Sequence, residues 1–344
     1  MIYCENVSLQ ALSVAIVGNR LKDEGVIKSD SLIPLNDRLR QVLVQYFMAS
    51  FKSEDRYAFF HHSGLEFNFV HKIAQRIFNE PDRLLEYSAQ LVDQLYEMSG
   101  HSMIKSGEFY VAYFRDVDFD GNISDAIGLF KSENKDVFLR IVSQGRTNLI
   151  EQYEGVDIRK LDKGCLIFNQ KSNDGYVVAI IDNSNKTEAK YWVEDFLNIR
   201  PIQDKYFQTR NFMTVCKNFV SKQMPQEFEV SKADQIELLN KSVKYFKEKD
   251  EFNIDDFSQC VLEHPELIDS FKLYKDRYQS DRDMVLEGSF EISTDAVKKQ
   301  SRGFKSVIKL DKNFHIYVHG DRRMIEQGED EKGRYYKVYF KEEF

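Results

Sequence analysis

The chain has 344 residues, of which 42% are apolar and 30% charged, and its net charge is −8. This balance excludes collagen-like, low-complexity and wholly disordered chains, and the length lets a sizeable core form without disulfide or metal staples. An acidic total gives no global attraction to phosphate or anionic lipid, so a nucleic-acid role has to come from a local basic patch.

Residues 8–17 (SLQALSVAIV) read as a strand closed by Gly18-Asn19, and 26–35 as a short extended piece ending at Pro34. Asn36 is placed as an N-cap, because Leu39, Val42, Leu43, Tyr46 and Phe47 follow at helical spacing. Helices are expected over 67–78 and 82–98, with Pro81 in the first turn of the second and Gly100 as its stop. From Gly107 the pattern changes: GEFYVAYFRDV, ISDAIGLFKS and KDVFLRIVS read as three strands joined by Asp120-Gly121 and Glu133-Asn134. Those connections are too short for parallel crossovers, so an antiparallel meander is expected. GCLIFNQ (164–170) and GYVVAIID (175–182) read as a hairpin of the same sheet.

After Asn185 the chain turns helical, beginning with KTEAKYWVEDFL. Residues 204–222 are apolar at helical spacing, Pro225 breaks the pattern, and Ser231 caps a helix through Ile236, Leu239, Val243 and Phe246. Residues 254–278 make one or two helices broken by Pro265. Extended pieces return at 304–310, 314–320, 322–327 and 334–340. Sheet, helices and then sheet predict an α+β fold: antiparallel sheets with segregated helices, a mainly helical middle-to-C-terminal region and a C-terminal β-meander. Two domains are expected, 1–185 and 186–344, the second carrying a basic segment at 298–323.

The familiar chemical motifs are missing. Cys4, Cys165, Cys216 and Cys260 are far apart, and apolar neighbours around the last three predict buried reduced thiols, as in a cytoplasmic protein. The N-terminus lacks a signal-peptide pattern, and no apolar run approaches the ~20 residues of a membrane span. Asp116 to Ile123 resembles the front of a calcium loop, but Ile127 stands where the bidentate Glu belongs, and Asp-Gly favours a hairpin. His61, His62 and His71 have no ligand partners at matching spacing, and His315 and His319 on a strand stand ~13 Å apart, so no metal site is expected. There is no GxSxG, GxxxxGK[ST] or GxGxxG, hence no expected catalytic residue and no cofactor.

Charge placement is more informative. Residues 298–323 hold Lys298, Lys299, Arg302, Lys305, Lys309, Lys312, Arg322 and Arg323 against only Asp311 and Asp321, a net +6 in 26 residues. Lys305 and Lys309 share strand parity, with Phe304, Ile308 and Leu310 on the other face, an arrangement suited to phosphate contact. A second basic stretch, 205–249, includes Lys241, Lys244 and Lys247 and reads as a solvated helix face. The acidic N-terminal part and the abundance of Tyr and Phe also allow an adaptor that recruits or regulates a DNA-acting enzyme, with weak or no DNA binding of its own, or that pairs with a second copy.

The order of segments GEFYVAYF, VDIRKLDKGCLIFN, KYWVEDFLNIRPIQDKYFQTRNFMTVCKNFV and FEISTDAVKKQSRGFKSVIKL resembles the bacterial 37-kDa nucleoid-associated protein family, the NdpA or YejK type. The closest local matches are Val156-Asp157-Ile158, Lys160-Leu161, Cys165-Leu166-Ile167 and Lys205-Tyr206-Phe207. The resemblance implies a cytoplasmic, non-enzymatic protein of the nucleoid that associates with double-stranded DNA, and it brings no catalytic residues. The basic 298–323 segment supplies candidate phosphate contacts.

Overall fold

The computed structural model describes residues 2–3, 7–51, 55–119, 121–145, 147–183, 191–304, 307–310, 314–317, 324–340 and 342. They form two compact units, 1–202 and 203–344.

The first unit contains β1 (Ile2–Tyr3), β2 (Ser8–Val17), β3 (Val26–Lys28), α1 (Asp37–Met48), β4 (Tyr57–Phe59), α2 (Phe69–Asn79) and α3 (Leu84–Met98). It continues with β5 (Gly107–Phe119), β6 (Asn122–Ser132), β7 (Asp136–Gln144), β8 (Thr147–Gly155), β9 (Lys163–Phe168), β10 (Val177–Asp182) and β11 (Ile199–Pro201). A nine-stranded antiparallel sheet runs β11-β4-β10-β9-β6-β5-β2-β3, with β1 added on β5. Its strands are apolar at successive positions because both faces are covered. Phe109, Val111, Cys165 and Ile167 pack with α2, α3 and the π-helical turn Tyr191–Leu197, while Phe114, Phe130, Leu166 and Phe168 pack with Phe47 and Met48 of α1. Asn36 caps α1 as expected, its side chain accepting the Leu39 N–H. Gly175, between β9 and β10, has φ +93°, and a Cβ there would stand 2.4 Å from the Phe59 carbonyl, so β4 can dock only against glycine.

One strand differs from the sequence expectation. KDVFLRIVS is not the third strand of the meander: β7 pairs with β8, a strand the sequence reading left out, and β9 takes the place beside β6. A strand buried on both faces suits GCLIF, whose every position is apolar or small, and does not suit one carrying Asp136 and Arg140.

Where β6 meets β9, two lysines face each other in register, Lys131 and Lys163, both with fully buried side chains. Lys131 Nζ donates to Glu133 at 2.9 Å and to the Lys105 carbonyl at 2.8 Å, and Lys163 Nζ lies 3.1 Å from Asp182 of β10. The Tyr191 ring stands 5.6 and 5.2 Å from the two ammoniums, and its hydroxyl donates to Glu133 at 2.8 Å. Asp162 fixes the following turn by accepting the N–H groups of Glu133 and Asn134.

The second unit contains α4 (Lys205–Asn218), α5 (Met224–Glu227), α6 (Lys232–Glu248), β12 (Glu251–Asn253), α7 (Ile254–Phe257), α8 (Pro265–Ser280), β13 (Ser289–Glu291) and α9 (Thr294–Ser301). Three of its two-stranded sheets are β12–β13, β14 (Val307–Leu310) with β15 (Phe314–Tyr317), and β16 (Ile325–Asp330) with β17 (Gly333–Val338). Ser231 opens α6 in a full capping box with Asp234. The core is aromatic: Phe212, Phe219, Phe246, Phe252, Phe257 and Phe271 share one cluster. The fold is α+β, with strand pairs closing the C-terminal region.

Glu133→Ala removes a buried carboxylate 2.9 Å from a buried ammonium and should cost about 3–5 kcal/mol, whereas Lys131→Met with Glu133→Leu should cost much less. Thermal denaturation of the single and double variants measures the difference.

Candidate nucleic-acid interface

Three of the expected basic residues, Lys298, Lys299 and Arg302, lie on and just after α9, and α4 places that helix. α4 buries three polar side chains, Gln208, Thr209 and Asn211, on a face where apolar ones are the rule. Gln208 donates to the Val285 carbonyl at 3.2 Å and accepts the Glu287 N–H at 3.1 Å, which holds the approach to β13. Thr209 Oγ1 accepts the Ser293 N–H at 2.9 Å, and Ser293 Oγ in turn caps α9 by accepting the Ala296 N–H. With Ser293 fixed, Ala296, Val297 and Phe304 turn into the core and Lys298, Lys299 and Arg302 stand in solvent.

Lys298 and Arg302 are four residues apart at the end of one helix and so share a face. Lys298 Nζ lies 3.7 Å from Asp295, a contact too exposed to neutralise it, and Lys299 Nζ lies 5.8 Å from the Tyr206 ring. A fourth cation comes from α4. The Lys217 ammonium is 3.0 Å from where a Cβ on Gly303 would stand. Sequence reasoning grouped Lys217 with a different basic stretch; only the packing of α4 on α9 joins it to this end.

Of the remaining candidates, the Lys309 backbone is paired in register with His315 in β14–β15. Ile308 and Leu310 pack with Ile236, Ile316 and Ile325, as the parity argument expects for the apolar face. Lys305, Lys312, Arg322 and Arg323 lie outside the described residues. The strand expected from Arg322 begins at Ile325.

Two other places among the described residues of the second unit are unsuited to phosphate. Lys241 is tied to Glu237 at 3.3 Å and to Glu263 at 2.7 Å, and Lys249 to Asp256 at 3.1 Å. A cavity of about 750 Å³ beside α6 is walled by Glu229, Asp234, Glu237, Glu263 and Glu266 around an apolar floor, so its field repels anions.

The sequence motifs resolve as follows. Phe119 pairs with Asn122 and Asp118 accepts the Gly121 N–H, so the calcium-like stretch is a hairpin. His61 and His62 stack on each other, and burial between Phe59 and Tyr176 holds the His71 imidazole below its ordinary pKa. Among the described residues no cluster of His, Cys, Asp and Glu could hold a metal. Cys165 and Cys216 are buried and their thiols pushed up by desolvation. Cys260, expected in the core, is exposed, because Val261 and Leu262 take the inward positions of its turn. Cys4 lies outside the described residues. Among the described residues no helix is long and apolar enough to cross a membrane.

The chain is a two-unit α+β protein whose exposed cations Lys298, Lys299 and Arg302 gather at one helix end. A family model described as nucleoid-associated protein YejK matches residues 17–332, and the chain belongs to that family. A search of curated proteins found no match.

Thr209→Val leaves the buried Ser293 N–H without its acceptor and should cost about 1–3 kcal/mol while keeping the volume of the side chain. Faster amide exchange across α9 than across α6 would locate the loss at the cap; equal exchange in both helices would show that Thr209 does not place α9.

Proposed function

We propose that the chain binds duplex DNA in the nucleoid, within the cytoplasm, through phosphate contacts, without reading sequence and without chemistry on the DNA. Membership of the nucleoid-associated family supports the location. The observation that carries the contact is the exposed group Lys298, Lys299 and Arg302 with Lys217 beside it, at the head of a segment of net +6. Lysine meets phosphate as a point charge and arginine as a two-pronged donor, and neither interaction distinguishes bases. Binding of this kind releases counterions, so affinity falls steeply with salt.

Fluorescence anisotropy with a random-sequence duplex, titrated from ~50 to ~200 mM salt, tests the reading. About six phosphate contacts give a log–log slope near −5, at ~0.9 per phosphate. Lys298→Glu with Arg302→Glu should weaken binding equally across sequences and bring the slope up by about 2, whereas Lys244→Glu on the outer face of α6 should change little. No binding at the lowest salt overturns the proposal. Divalent-metal-dependent cleavage of the duplex would overturn its non-enzymatic part.

A further inference from the structure

Among the described residues, β7 pairs only with β8, and β8 only with β7. A lone two-stranded hairpin is marginal in water, and this one shows its apolar side chains on both faces. The two faces are not equivalent. On one, Phe138 stacks on Tyr153 at 5.6 Å and lies over Gly155, Arg140 stands opposite Glu151, and Tyr153 donates to Glu151. That face finds partners within its own hairpin.

The other face does not. Val137, Leu139, Ile141 and Ile150 share it and are 58, 66, 71 and 70% exposed. The remaining residues of this face are Ser143, Asn148, Gln152 and Glu154, so its one charge stands at the base end.

We infer that this face is closed by the same face of a second copy, making the hairpin a homodimerisation arm. Two features select a second copy. The first is charge. The face has no cation to meet phosphate, and its lone carboxylate gives a charged protein little to grip. Two copies stacked antiparallel about a two-fold axis set each Glu154 beside the neutral Ser143–Asn148 end of the other, with the two carboxylates far apart. Such an isologous contact closes at two subunits, so it makes dimers and not fibres. The second is area. The four aliphatic side chains offer roughly 400 Å² per copy, and the polar rim brings the total to the lower edge of specific interfaces, the size of a weak, reversible dimer. The inference is independent of DNA binding, since it uses no residue of the basic segment.

Sedimentation of the full chain from about 1 to 200 µM tests it, that range spanning a micromolar dissociation constant. The wild type should pass from monomer to dimer. Ile141→Asp with Ile150→Asp should stay monomeric at every concentration, while Leu149→Asp, on the opposite face, should dimerise as the wild type does. A wild type that remains monomeric, or a dimer that survives both aspartates, overturns the proposal. A second measurement covers variants whose hairpin fails to form. In a Cys4→Ser, Cys260→Ser background, Leu139→Cys should be joined between copies by a short bismaleimide reagent and Leu149→Cys should not. Equal coupling at both positions also overturns the inference.

Discussion

Two ammonium groups face each other in register inside a sheet from which water is excluded. Left alone, Lys131 and Lys163 would force the strands apart, because like charges directly opposite are destabilising and desolvated ones far more so. They are tolerated because Glu133, Asp182 and the Tyr191 ring close around them. Those groups come from the end of β6, from β10 and from the turn before β11. The cluster therefore forms only when the centre of the sheet and the segment that covers it are in place together. It also fixes register, since a one-residue slip of β9 would send Lys163 to the other face, against Phe51 and Phe130.

The second unit uses buried polarity in the same way on a smaller scale. Gln208 and Thr209 satisfy backbone groups of the segment that leads to α9. An apolar α4 would pack as tightly but would leave the entry to α9 unspecified. The direction in which Lys298, Lys299 and Arg302 point thus depends on a hydroxyl that no charge-based argument would have singled out. The placing of these surface cations rests on hydrogen bonds in the core.

What the sequence made legible follows from which interactions are local. The caps at Asn36 and Ser231 and the helix-breaking Pro265 act within a few residues of themselves and stand where the pattern placed them. The pairing of β7 was not legible, because short connections suggest a meander wherever strands follow one another, and the competing strand β9 lies some twenty residues on. β8 escaped notice because Leu149 and Ile150 are adjacent and project to opposite faces, which erases the period-two signal. The burial of Lys131 and Lys163 has no local signal, because Asp182 and Tyr191, which help to enclose them, lie far along the chain. The basic segment was visible as composition, yet the place of Lys217 beside it depends on how two distant helices pack.

The two units also have separate cores, one built on a sheet covered on both faces and one on clustered aromatic rings. Each of these cores is closed by residues of one unit alone. During synthesis the sheet-bearing unit leaves the ribosome first and can close its own core before the cationic segment exists, which shortens the time in which that segment is tethered to an unfolded chain.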